Sequence, residues 1–153
     1  MHASADLAQA LSPRATLQLH LQAQIASKNL DASERMALGG PDGVRGYDAG
    51  EAAGDQGWLA RAELSRTFVL PGWRGRTALA LFWDGGGVEV NRDPWSGAGQ
   101  AGWITLGDAG AGLDWQLHTF ALKLRAAHPL GPGVIGAQPP PPWRVWLQSS
   151  WAW

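Results

Sequence analysis

Apolar and polar residues alternate with a period of two along much of this chain. Leu17, Leu19, Leu21, Ala23 and Ile25 fall on one side of an extended segment, and Thr16, Gln18, His20, Gln22 and Gln24 on the other. Successive side chains of a strand point to opposite faces, so the pattern predicts a strand with one apolar and one polar face. A soluble strand with one wet face gives the same alternation. Further strands are predicted over Trp58–Phe68, Thr77–Asp84, Trp103–Trp115, Phe120–Ala127 and Trp143–Trp153. In the first of these, Trp58, Ala60, Ala62 and Leu64 alternate with Arg61, Glu63 and Ser65. Leu79, Leu81 and Trp83 share a face opposite Phe82, Asp84 and Gly86, and Phe120, Leu122, Leu124 and Ala126 oppose Ala121, Lys123, Arg125 and Ala127. Ahead of them, residues 1–13 read as a short lead-in, with a helix from Ala5 to Leu11 ended by Pro13.

The connections sort by length. Those over 29–57, 85–102 and 128–142 are long, and those around Pro71–Gly75 and Gln116–Thr119 are short. With six strands in sequence, all three long loops fall at one end. Outer-membrane barrels have long extracellular loops and short turns, whereas a soluble sandwich has no reason to segregate loop length. The charges agree. Arg61, Glu63, Asp84, Lys123 and Arg125 all lie on the polar face, where a barrel keeps them away from lipid. The expected fold class is therefore all-β, an antiparallel transmembrane β-barrel segment of about six strands occupying residues 14–153.

Composition changes this picture in a few places. The 21 glycines and 10 prolines favour turns over helices, and the 10 tryptophans suit a membrane–water interface. The same tryptophans would serve a soluble β-sandwich binding module, for instance as a sugar-stacking surface. Lys and Arg number 12 against 13 Asp and Glu, which gives nothing for a nucleic acid to bind. No cysteine is present, so disulfides and thiolate metal sites are excluded. His2, His20, His118 and His128 lack metal-ligand spacing, and no nucleophile elbow occurs; neither a metal, a cofactor nor catalysis is expected. Gly97–Gly102 matches a dinucleotide fingerprint by letter, but lacks the strand before it and the helix after it. Residues 1–15 contain Asp6 and Arg14 and do not read as a signal peptide, and no run of about 18 apolar residues could form a transmembrane helix.

The first long loop carries a distinctive motif. Gly39-Gly40-Pro41-Asp42-Gly43-Val44-Arg45-Gly46-Tyr47 is followed by Gly54-Asp55-Gln56-Gly57 at the entry to the next strand. This resembles the outer-membrane transporters of two-partner secretion, the family that exports haemolysins and haemagglutinins. Their loop reads Gly-Gly-x-x-Ser-Val-Arg-Gly-Tyr, then Gly-Asp-x-Gly; Gly43 stands where the family has Ser. Phe82-Trp83-Asp84-Gly85-Gly86 matches the family's Phe-x-Asp-x-Gly. Val145, Leu147, Trp151 and Trp153 alternate to the end of the chain, like the terminal strand by which barrels are recognised during assembly. Here the last residue is Trp rather than the commoner Phe, and Ser149 interrupts the apolar face.

The resemblance implies several things together. The chain corresponds to the C-terminal strands of a barrel of about sixteen, without the signal sequence, plug helix and POTRA domains of the whole protein. The loop would fold back into the barrel, and Arg45 would meet Asp84 in the lumen. The implied activity is translocation of a secreted partner protein across the outer membrane, with the POTRA domains selecting it. The implied partners are that protein, the lipid bilayer and the barrel assembly machinery. The alternatives are the soluble module and a barrel fragment with no activity of its own.

Overall fold

The computed structural model describes residues 1–69, 71–72, 74–91, 102–131, 133–134 and 139–152. Two predicted features therefore fall outside the described residues: Trp153, and most of Gly97–Gly102.

Seven strands form one antiparallel sheet in the spatial order β1-β2-β5-β6-β7-β8-β9. They are β1 (His2–Ser12), β2 (Ala15–Gln24), β5 (Gln56–Phe68), β6 (Arg76–Val90), β7 (Gly102–Leu117), β8 (Phe120–Pro129) and β9 (Arg144–Trp151). The short β3 (Met36–Leu38) and β4 (Ala52–Gly54) pair with each other inside the first long loop. Every strand of the sheet pairs with its sequence neighbours in the sheet. The connections alternate short and long from β1 onward, and the long ones share one end.

Two expectations are corrected. The segment read as a helix, Ala5–Leu11, lies within β1. Its Ala, Leu and Gln are good helix formers, but helix propensity is weak beside pairing with β2 that runs from His2↔Gln24 to Ser12↔Ala15, with one irregularity between Ala10 and Ser12. Pro13 sits in the turn between the strands rather than ending a helix. The lead-in is thus a seventh strand. The second long loop is also shorter than read. β6 continues through Gly85, Gly86 and Gly87 to Val90, paired with β7 up to Val90↔Gly102. A Cβ on Gly86 would stand 2.8 Å from the Leu38 side chain, so here glycine marks close packing rather than a turn.

One face of the sheet is apolar and open, and the other is polar and covered by the loop over the long-loop halves of β5, β6 and β7. Register places Leu19, Ala62, Trp83 and Ala109 in one row, and Leu17, Leu64, Leu81, Ala111, Ala126 and Val145 in the next. None of these side chains is buried, and Leu81 is exposed by 65% and Val145 by 61%. Aromatic residues bound the band, with Trp58 and Trp103 towards the long loops and Phe68, Trp115, Phe120 and Trp151 towards the short turns. A strand rises about 3.3 Å per residue and barrel strands tilt by about 40°, so Trp58 to Phe68 spans roughly 25 Å along a barrel axis. That is the height of the apolar band of an outer-membrane barrel. On β5 and β6 the charged residues of this face, Arg66 and Glu89, sit towards its two ends. A sandwich would cover this face with a second sheet. Among the described residues the other sheet is the β3–β4 hairpin, and it packs on the opposite face, against Leu59, Val88 and Leu106.

Candidate functional site

The site is the loop between β2 and β5, folded onto the polar face. Its turns are made by the chain's own backbone. Gly39 and Gly40 adopt φ of 88° and 92°, a left-handed conformation that side chains resist. Gly40 N–H donates to Tyr47 O at 3.0 Å, and Tyr47 N–H to Val44 O at 3.2 Å, so the segment 40–47 closes on itself.

This compact tip is anchored in two ways. Val44 and Tyr47, both wholly buried, join Met36, Leu38, Ala52, Leu59, Val88 and Leu106 in an apolar cluster between loop and sheet. Between them in sequence, Arg45 points the other way, into the polar face. Its Nε donates to Asp84 Oδ2 at 2.6 Å and its Nη2 to Asp84 Oδ1 at 2.8 Å, a two-pronged pair. The guanidinium also lies 3.6 Å from the centroid of the Phe82 ring. Asp84 is wholly buried and Arg45 is 3% exposed. Burial opposes the charge on Arg45, but its hydrogen bonds and attraction to Asp84 and Glu63 outweigh that, and its pKa lies above the ordinary value. Gly46 brings the backbone against β7. Its N–H donates to a carboxylate oxygen of Asp108, and a Cβ there would stand 2.9 Å from the Asp108 side chain.

The second half of the motif fixes the base of the loop. Asp55 is wholly buried; its carboxylate accepts from Leu30 N–H at 2.9 Å and approaches Arg35 Nε at 3.3 Å. Its own N–H donates to Glu89 O at 2.9 Å, which pins the strand entry to the end of β6. Gly54 and Gly57 lie along the same strip of β6, against Val88. Gly86 packs under Leu38. Thus the loop motif, Phe82, Asp84 and Gly86 converge on one site. Val145, Leu147 and Trp151 do not: they lie on the open apolar face of β9, 61%, 65% and 76% exposed.

Several partners were not singled out in the sequence. Glu63 on β5 accepts from Arg45 Nη1 at 2.6 Å and from Arg125 Nη2 at 2.8 Å. Arg125 on β8 in turn donates to Asp114 Oδ1 at 2.6 Å. Asp6, His20, Arg61, Asp84 and Asp108 occupy one register row across five strands, and His20 Nδ1 is 2.7 Å from Asp6 Oδ1. The face assignment of Glu63 and Arg125 was legible from alternation. Their meeting was not, because residues 62 positions apart need the strand order to bring them together. Arg61 donates to the carbonyls of Asp42 and Pro41, at 2.9 and 3.3 Å.

An antiparallel sheet with an exposed apolar band between aromatic rims, and a charged face that binds a folded-in loop, is a sector of a transmembrane β-barrel wall. Comparison with known proteins gives the family. Residues 1–114 match the model of the haemolysin secretion/activation protein family ShlB/FhaC/HecB, and the chain belongs to this family of outer-membrane two-partner secretion transporters. It is similar to the heme/hemopexin transporter protein HuxB of Haemophilus influenzae, 32% identical over 120 residues, which cover 76% of this chain and 21% of that protein. The chain therefore spans about a fifth of the length of the curated relatives it matches. Its fold is that of CdiB from Escherichia coli, with a TM-score of 0.79 at 24% identity over 98% of this chain and 27% of that one. CdiB from Acinetobacter baumannii gives 0.69 at 26% identity, covering 97% and 26%.

Proposed function

We propose that this chain is part of the wall of an outer-membrane pore that translocates a secreted partner protein, and that the docked loop sets the state of the conduit. The observation that carries this reading is the buried Arg45–Asp84 pair, which ties the loop to the barrel's inner face. A buried ion pair is a poor source of net stability, because desolvation offsets most of the attraction; its better-attested use is to specify one conformation. Here it specifies a loop lying across the path a polypeptide would take. The cargo is a haemolysin- or adhesin-type protein, chosen by POTRA domains elsewhere in the full-length transporter. No bond is made or broken, so the polar face supplies an aqueous lining and a latch. The apolar band faces lipid, and the outward Val145, Leu147 and Trp151 belong to the strand that the barrel assembly machinery reads.

The test is secretion by a full-length transporter carrying these strands. Removing one partner of a buried pair costs about 3–5 kcal/mol, because the other charge is left uncompensated. Arg45→Ala and Asp84→Ala are each expected to abolish export while the barrel still inserts and shows heat-modifiable mobility. Normal export by both variants overturns the reading.

A further inference from the structure

The loop is also held from β9, through its backbone rather than its charge. Trp146 lies on the polar face of β9, and its indole N–H donates to the carbonyl oxygen of Arg45 at 2.7 Å. Two residues earlier on the same face, Arg144 donates through Nε to Gly46 O at 3.4 Å. The same guanidinium pairs with both carboxylate oxygens of Asp48, with Nη2 to Oδ2 at 2.9 Å. Three successive features of the loop tip are thus held by one strand: the carbonyls of Arg45 and Gly46 and the side chain of Asp48. None of these contacts involves Asp84 or Glu63.

Arg45 therefore joins two parts of the wall. Its side chain is tied to β5 and β6, and its carbonyl to β9.

The geometry points to β9 as a second latch, in which Trp146 and Arg144 are positioning residues that couple the loop's docked state to the place of β9. This rests on the proposed role of the loop and extends it. Release of the loop tip and displacement of β9 become one event, because the loop cannot leave while both carbonyls are held. Conversely, a shift of β9 withdraws two donors from the segment whose side chain must hold Asp84.

The test uses a full-length transporter carrying these strands, reconstituted in lipid bilayers, with loop release read as protease cleavage within 40–50 and as the frequency of channel opening. Trp146→Phe keeps the ring and removes only the donor. One neutral hydrogen bond corresponds to about a two- to tenfold change in an equilibrium, so both readouts should rise by that factor with heat-modifiable mobility unchanged. Arg144→Asp should do the same, and Arg144→Asp combined with Asp48→Arg should restore protection, which a merely structural role of Arg144 would not predict. Release in Asp84→Ala, with wild-type protection in both Trp146→Phe and Arg144→Asp, overturns the second latch and leaves the proposed function standing. Wild-type protection in every variant, Asp84→Ala included, overturns both.

Discussion

The two faces of this sheet invert the usual relation between polarity and burial. On one face Leu79, Leu81, Val145 and Leu147 are each more than half exposed, while on the other Asp84 and Asp108 are wholly buried and Arg125 is 8% exposed. In water the first arrangement would be an aggregation surface and the second a desolvation penalty. In a membrane wall each has a cause. Lipid is the partner of the apolar band. The charges are on the other face because lipid excludes them, and they are buried there because a loop of the same chain lies over them. The comparison teaches that one face is specified by its solvent and the other by its own chain. Changes on the two should fail differently: outward ones by depth, inward ones by which partner is left alone.

The sharpest break comes from the inward face. Asp84→Ala removes the two-pronged partner of Arg45 and leaves it Glu63; it is expected to destabilise the docked loop by up to about 3–5 kcal/mol, measured as protease cleavage of the loop in the inserted full-length transporter. Next is the outward face at mid-depth. Leu81→Arg should cost about 2–4 kcal/mol in barrel folding, read by urea titration in lipid vesicles, while leaving the loop protected once the barrel has formed. The same charge at the rim sharpens the depth argument. Trp103→Arg should cost only about 0–1 kcal/mol in that titration, and equal costs at the two positions would mean that the band is not lipid-facing.

The smallest effect separates the loop's two anchors. Burial raises the Tyr47 phenol above its ordinary value of 10.0. An acid with a raised folded-state pKa contributes stability that is fully present below its unfolded pKa and lost as pH rises through the raised value. Docking should therefore weaken above about pH 10, in loop cleavage followed against pH. Tyr47→Phe gives up the hydrogen bond to Gly131 O, worth about 1 kcal/mol near neutrality, but should abolish the contribution of this group to the alkaline loss. The Arg45 guanidinium, with its pKa raised, stays charged throughout that range.

Much of the site was legible before the structure. Alternation put Asp84 and Phe82 on the polar face, and the motif resemblance paired Arg45 with Asp84; the distances of 2.6 and 2.8 Å bear that pairing out. What was misread has local causes. Ala5–Leu11 carries helix-forming residues, and its partner in β2 lies beyond a turn. Gly85–Gly87 looked like a loop because glycine frees the backbone, and only the packing of Leu38 against Gly86 shows why a strand needs none of its side chains there. Alternation places Trp146 opposite Val145 and Leu147, but its partner, the Arg45 carbonyl, lies 101 positions away and is met only in the fold.

The sequence by itself determined the strands' two faces, the ends at which long and short connections lie, and the motif that docks. These depend on side-chain period and local turn chemistry, which any neighbouring chain leaves intact. Only the tertiary structure decided which residues share the latch. Glu63, Asp108, Arg144 and Trp146 reach the loop from three strands, β5, β7 and β9, and Arg125 on β8 joins them through Glu63. Their meeting depends on strand order, register and the fold of the loop across them, and these arise from long-range pairing that no local stretch of residues encodes.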